Sequence, residues 1–207
     1  LCGNYRNYKI CSAPLPSAGG FSILQILGIL ENFPLSRNTI NSDIRLIIEA
    51  SKYAYLDRYK YLGDPNFNKI NLKEFLSKEY LRNKALKISN NLGKSKDLKD
   101  LNIEKNKLNI SKSTTHFSIH DKYGNIVAMT SSIENAFGSR LMAGGFLLNN
   151  QLSDFNILEK NNLYKNNIIK PNKKPLSSMS PTIIFDENNN IKMVIGSPGG
   201  KSIIMYV

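Results

Sequence analysis

Residues 114–139 read TTHFSIHDKYGNIVAMTSSIENAFGS, and this stretch decides the fold class. Apolar Phe117 and Ile119 alternate with polar neighbours, so Thr115 to His120 predicts a strand with those two on its inner face. Asp121-Lys122-Tyr123-Gly124 reads as a hairpin turn, and Asn125 to Ile133 as the returning strand. Upstream the period is helical. In FSILQILGILENF, Ile23, Ile26, Leu27 and Leu30 recur at helical spacing until Pro34, which predicts a buried helix. Ser42 or Asp43 caps a second helix, with Ile44, Ile47, Ile48, Ala54, Tyr55 and Tyr59 on one face and charge on the other. It stops at Leu62-Gly63-Asp64-Pro65. A third, Lys- and Glu-rich helix covers Leu72 to Leu86 behind Asn71. A short strand between Gly3 and Pro14 precedes them all, and a Lys, Asn and Asp linker runs from about Leu92 to Ser113. Downstream lie a short strand over Gly144 to Leu148 and an Asn-rich loop through Lys174. A second hairpin follows, Pro181 to Phe185 and Ile191 to Ile195 around Glu187–Asn190. Gly196-Ser197-Pro198-Gly199-Gly200 then leads into a helix. Helices followed by strand hairpins and a closing helix predict an α+β layered fold.

With 207 residues, 41% of them hydrophobic and 21% charged, the chain buries a core, and whole-chain disorder is excluded. Its apolar stretches break well before the roughly 18 residues a membrane span needs. A net charge of +12 invites a nucleic-acid reading. The lysines are scattered among Asn and Ile without an arginine cluster, so a solvated basic surface is the reading adopted. Cys2 and Cys11 match neither zinc nor redox spacing, and only His116 and His120 accompany them, so no metal site is expected. The two thiols can pair or stay free. The sequence starts at Leu1 and stops at Val207 inside GGKSIIMYV, which reads as a helix just beginning, so a fragment of a longer protein is expected and no compartment is readable.

Four segments carry possible chemistry, each beside a plainer reading. Ser113-Thr114-Thr115-His116 is either strand-edge hydroxyls or a bond cut to free a new amino terminus. In the second case the Thr hydroxyl attacks while its own α-amine, titrating at about 7.7–8.0, takes the proton. Gly196-Ser197-Pro198-Gly199-Gly200 is a tight turn or a pair of open N–H donors forming an oxyanion hole, and it fits neither a GxGxxG nor a P-loop pattern. Pro175-Leu176-Ser177-Ser178-Met179-Ser180-Pro181 caps a loop or binds a carboxylate. In Asn149-Asn150-Gln151-Leu152-Ser153-Asp154-Phe155, Gln151 and Asp154 make a polar turn or hold an ammonium.

In this order and spacing, TTHFSIHDKYGNIVAMTSSIENAFGS, GGFLLNNQLSDF, KPLSSMSPTIIF and GSPGG resemble the γ-glutamyltranspeptidases, or glutathione hydrolases, within the N-terminal nucleophile hydrolases. CSAPLPSAGGFSILQILGILENF and EASKYAYLDRYKYLGDPNF are similar to the end of that family's large subunit. The resemblance implies a four-layer αββα sandwich, incomplete over this stretch, with residues 1–113 closing the large subunit and 114–207 opening the small catalytic one. It implies autocatalytic cleavage between Ser113 and Thr114 and a heterodimer from one precursor. Thr114 falls on the nucleophile. Ser132 falls on the hydroxyl residue beside the nucleophile's amine, usually Thr, and Gly199 and Gly200 on the oxyanion pair. Glu134, usually Asn, joins Gln151 and Asp154 at the substrate's α-amino end, and Ser177 and Ser178 fall on the pair that bonds its α-carboxylate. The family's carboxylate-clamp arginine comes from an earlier region, outside this sequence. The implied activity is hydrolysis or transfer of γ-glutamyl groups from glutathione and related amides to water, amino acids or peptides, without cofactor, metal or nucleic acid. A periplasmic or extracellular location goes with it. The alternatives are a glutaryl or cephalosporin acylase of the same superfamily, and a non-catalytic basic binding module.

Overall fold

Arg6 sits at φ 52°, and this left-handed residue divides the expected strand between Gly3 and Pro14 into a hairpin. A computed structural model of the chain describes residues 1–35, 40–90, 112–156 and 165–207, and in it β1 (Cys2–Tyr5) returns as β2 (Tyr8–Ser12). Cys2 and Cys11 are direct cross-strand partners and form a disulfide. β2 pairs in turn with β7 (Thr182–Phe185), and β7 with β8 (Ile191–Ile195), giving an antiparallel sheet in the order β1-β2-β7-β8. One sheet therefore joins the first dozen residues to the second expected hairpin.

Over this sheet lies α1 (Gly19–Leu30), buried on nearly every side, with Phe21, Ser22, Gln25 and Ile29 all at most 1% exposed. It packs against β1, β2, α2 (Ile40–Tyr61) and α4 (Lys78–Asn90). The face that α2 buries agrees with the expected one at Ala54 and Tyr59 and differs from it elsewhere. Ile44, Ile47 and Ile48 are exposed, whereas Ala50, Tyr53, Ala54, Asp57, Arg58 and Leu62 are buried, at positions that repeat with the helix. The reason is electrostatic. Asp57 accepts hydrogen bonds from Gln25 Nε2 and Tyr80 OH, both at 2.8 Å, and pairs with Lys84 Nζ at 3.2 Å. A paired carboxylate can lie inside, while apolar periodicity assigns it to the surface. The expected helix over Leu72 to Leu86 is two pieces, α3 (Leu72–Phe75) and α4, because Ser77 Oγ accepts the Tyr80 N–H at 3.2 Å and starts a new helix.

β3 (Lys112–His120) and β4 (Ile126–Asn135) form the expected hairpin. Asp121 Oδ1 accepts the N–H groups of Tyr123 and Asn125 across its turn, each at 2.8 Å. The inner face is the opposite of the expected one. Phe117 and Ile119 are 42% and 51% exposed, and it is Ser118 that donates to the Val194 carbonyl of β8 at 3.2 Å. Close approach goes with this choice: a Cβ at Gly196 would stand 2.3 Å from the His116 ring, so the polar side of β3, with His116 and Ser118, docks where β8 gives way to a glycine. The single strand expected at Gly144 to Leu148 is a small hairpin, β5 (Met142–Ala143) and β6 (Phe146–Leu147), turned by Gly144 and Gly145 at positive φ. α5 (Ile203–Tyr206) follows the glycines as expected. Residues 91–111, most of the expected linker, lie outside the described residues. The architecture is α+β.

Candidate active site

Register along β3 and β4 sets the first half of the site. Ser113 pairs with Glu134 and Thr114 with Ser132, so Ile133 is an extra residue and a bulge falls at the Ser113–Thr114 bond. A bulge re-aims the side chains beside it. Glu134 takes φ 74° there, a rare conformation for a residue with a Cβ. The Thr114 hydroxyl donates to Ser132 Oγ at 3.3 Å, and the same oxygen accepts the Glu134 N–H at 3.0 Å. Glu134 itself is buried, at 7% exposure.

A 3₁₀ turn over Gln151–Asp154 stands beside the bulge. Asn150 N–H bonds the Ile133 carbonyl at 3.3 Å and Asn150 Oδ1 accepts the Asn135 N–H at 3.0 Å, fixing the turn to the end of β4. Within it Gln151 Nε2 donates to Asp154 Oδ2. Asn167 Nδ2 donates to the Asp154 carbonyl at 2.7 Å.

The serine loop is held more deeply. Asp64 Oδ2 accepts the Lys174 N–H at 2.7 Å, and Ser177 exchanges backbone bonds of 3.0 Å with Pro16 and Ala18 at the start of α1. Burial pushes the Asp64 carboxyl up, but the N–H donors of Lys174 and Asn66 outweigh it and hold the group below the usual carboxylate range. Ser178 Oγ accepts a bond from Arg58 Nη2 at 2.9 Å, and Arg58 is 4% exposed. Arg58 was missing from the sequence reading. Its only signal there was a charge adjacent to Asp57 on α2, which periodicity places at the surface.

Gly199 and Gly200 take φ 137° and 56°, and a Cβ at Gly199 would stand 2.6 Å from the Tyr206 ring. Gly199 therefore requires glycine, and the left-handed φ of Gly200 favours it. The next carbonyl, of Lys201, accepts Tyr55 OH at 2.6 Å; burial pushes that phenol up to about 12, so it remains a donor.

One cleft of about 620 Å³, open to solvent, collects these groups. Thr114, Ser132, Glu134, Gln151, Asp154, Ser177, Ser178 and Gly200 all line it, and Gly199 adjoins it one residue before. Arg58, Asn167 and Lys201 line it too. Asn167 gave no sequence signal because it sits in an Asn-rich loop where asparagine is merely common. The lining thus holds two carboxylate residues, Glu134 and Asp154, together with the paired serines and the guanidinium bonded to Ser178.

A family model for gamma-glutamyltranspeptidase matches residues 1–207, the whole chain. The chain belongs to the gamma-glutamyltranspeptidase family. Among relatives, the glutathione hydrolase proenzyme of Escherichia coli K12 is 42% identical over 217 residues, covering 100% of this chain and 37% of its own length. The glutathione hydrolase proenzyme of Bacillus subtilis 168 is 36% identical over 223 residues, with the same coverage. The chain thus spans little more than a third of these family members. A solved cephalosporin acylase from Bacillus halodurans superposes with a TM-score of 0.73 at 21% identity, over 97% of this chain and 34% of its own, a likeness of fold alone.

Proposed function

We propose that the protein carrying this chain is a γ-glutamyl hydrolase and transferase that acts through a γ-glutamyl ester of Thr114, with glutathione and related amides as donors. The observation that carries the reading is the polarity of the cleft beside Thr114. Buried Glu134 and nearby Asp154 suit an α-ammonium, and Ser177 and Ser178, backed by Arg58, suit an α-carboxylate. Only an acyl group with a free amino-acid head presents both charges from one carbon.

The chemistry takes two rounds. First the Thr114 hydroxyl attacks the Ser113 carbonyl and the acyl group moves from nitrogen to oxygen, which frees the Thr114 amine; water then hydrolyses the ester, releasing the Ser113 carboxylate and restoring the Thr114 hydroxyl. The freed amine then takes the proton as Thr114 Oγ1 attacks the γ-carbonyl, and Ser132 orients the nucleophile. N–H groups of Gly199 and Gly200 receive the oxyanion. The amine returns its proton to the leaving nitrogen, and water or an amino acid or peptide amine then resolves the ester.

Residues 1–113 and 114–207 become the large- and small-subunit parts of this heterodimer. Pairing of β2 with β7 would hold them together after the cut. The α1 layer over the antiparallel sheet fits part of a four-layer αββα sandwich. The Cys2–Cys11 disulfide supports a periplasmic or extracellular location, where such bonds persist.

The second reading is a glutaryl or cephalosporin acylase, whose acyl group lacks the α-ammonium and would offer Glu134 and Asp154 no charge to bind. Steady-state kinetics of the full-length, processed protein with γ-glutamyl and glutaryl anilides separates the two. A higher kcat/KM for the γ-glutamyl anilide is expected, and equal or reversed values would favour the acylase.

A further inference from the structure

Asn167 is buried, at 7% exposure, and its carboxamide bridges the two recognition arms of the cleft. Nδ2 donates to the Asp154 carbonyl at 2.7 Å on the arm that carries Gln151 and Asp154. Oδ1 accepts the Leu176 N–H at 2.8 Å, directly before Ser177 and Ser178. The bridge is itself anchored. Asn166 Nδ2 donates to the carbonyls of Lys60 and Tyr61 at 3.0 and 3.1 Å, at the end of the helix that supplies Arg58. A Cβ at Gly63 would stand 2.3 Å from the Asn166 carbonyl oxygen, so that contact leaves no slack. The Asn156 N–H also bonds the Asn167 carbonyl at 3.0 Å.

We infer that Asn167 is a positioning residue that fixes the spacing between the ammonium arm and the carboxylate arm, and so sets the preference for acyl groups bearing an amino-acid head. This rests on the γ-glutamyl reading. An α-amino acid carries its two charges on one tetrahedral carbon, so the groups that grip them must stand at one separation. A side-chain amide can do this because its donor and acceptor are rigidly coplanar and point to different partners. An acyl group lacking the ammonium uses one arm only and is indifferent to the spacing.

Asn167→Asp tests the asymmetry. It keeps the acceptor for Leu176 N–H and sets an oxygen against the Asp154 carbonyl, so the ammonium arm alone is released. In the full-length, processed enzyme, KM for a γ-glutamyl anilide should rise about tenfold with kcat within about threefold, while kcat/KM for the glutaryl anilide stays within about threefold. Asn167→Ser, too short to span the arms, is the second variant; it releases both, so the glutaryl anilide should lose too, but the γ-glutamyl anilide should lose more and the preference should narrow. Equal losses for both anilides in a processed variant would overturn the inference, as would an unchanged preference. Failure of both variants to fold or process, by melting temperature and mass spectrometry, would assign Asn167 to the fold alone and overturn it too. A wild-type enzyme without preference for γ-glutamyl over glutaryl would instead sink the γ-glutamyl reading itself.

Discussion

Thr114 and Ser178 line the same cleft from supports built in opposite ways. Thr114 rides on a two-stranded ribbon whose Phe117, Ile119, Val127 and Met129 are all exposed among the described residues, and which is tied to them by its ladder, by Ser118 to β8 and by Asn150 to the end of β4. Ser178 sits in a loop tied by side chains or backbone to α1, α2 and the Asp64 turn, with Ser180 fully buried and Arg58 behind it. The contrast separates two jobs. The ribbon places a reacting hydroxyl with few obligations to the core, whereas the framework holds fixed charge for recognition. Substitutions on the ribbon or at the glycine turn should therefore change turnover more than stability, and substitutions in the framework should change stability first.

The largest expected effect on the framework side comes from Asp57→Ala, which strands Lys84, Gln25 and Tyr80. Breaking a buried ion pair from one side costs about 3–5 kcal/mol, so thermal melting should show a large drop in Tm. A Tm within a few degrees of wild type would break the comparison. Gly200→Val acts on the other side, because a branched side chain at φ 56° both strains the turn and crowds the oxyanion position. Turnover should fall roughly 100- to 1000-fold in protein that still folds and processes, with a smaller change in KM. Turnover within twofold would make the turn merely structural. Asp154→Asn removes a charge-assisted bond of about 1.5–3 kcal/mol and should weaken γ-glutamyl anilides more than glutaryl ones. Equal losses in kcat/KM would favour the acylase reading.

The smallest effect is on pH. Desolvation pushes the His116 imidazole below the usual histidine range, while its ring nitrogens meet Thr130 Oγ1 and Ser118 Oγ at 2.8 and 3.0 Å. The folded state thus binds fewer protons than the unfolded state just below the ordinary value near 6.5, and stability contributed at neutral pH is lost as pH falls through it. Tm should drop between pH 7.5 and 5.5 by more in the wild type than in His116→Gln. Identical drops would remove His116 from the account.

The hairpins around Asp121–Gly124 and Glu187–Asn190 were legible because strand alternation and turn chemistry agree at both, and α1 because its apolar spacing is helical throughout. The β1–β2 turn was not, since Arg6 gives no glycine or asparagine signal for its positive φ. Nor was most of the buried face of α2, where paired charge replaces apolar side chains, nor the inner face of β3, which goes with close contact at Gly196 across the fold. In the site, the residues named from motifs meet at one cleft. The residues that hold those motifs in place, Arg58 and Asn167, act through partners more than a hundred residues away or inside a composition-biased loop, and neither leaves a local pattern.

The central claim is that Thr114 becomes an amino terminus and a nucleophile. It is tested most directly by mass spectrometry of the purified full-length protein beside its Thr114→Ala variant. The account predicts two wild-type fragments, the smaller beginning at Thr114, and a single folded, uncut chain for the variant. A wild-type cut at another bond, or normal processing of Thr114→Ala, would contradict it.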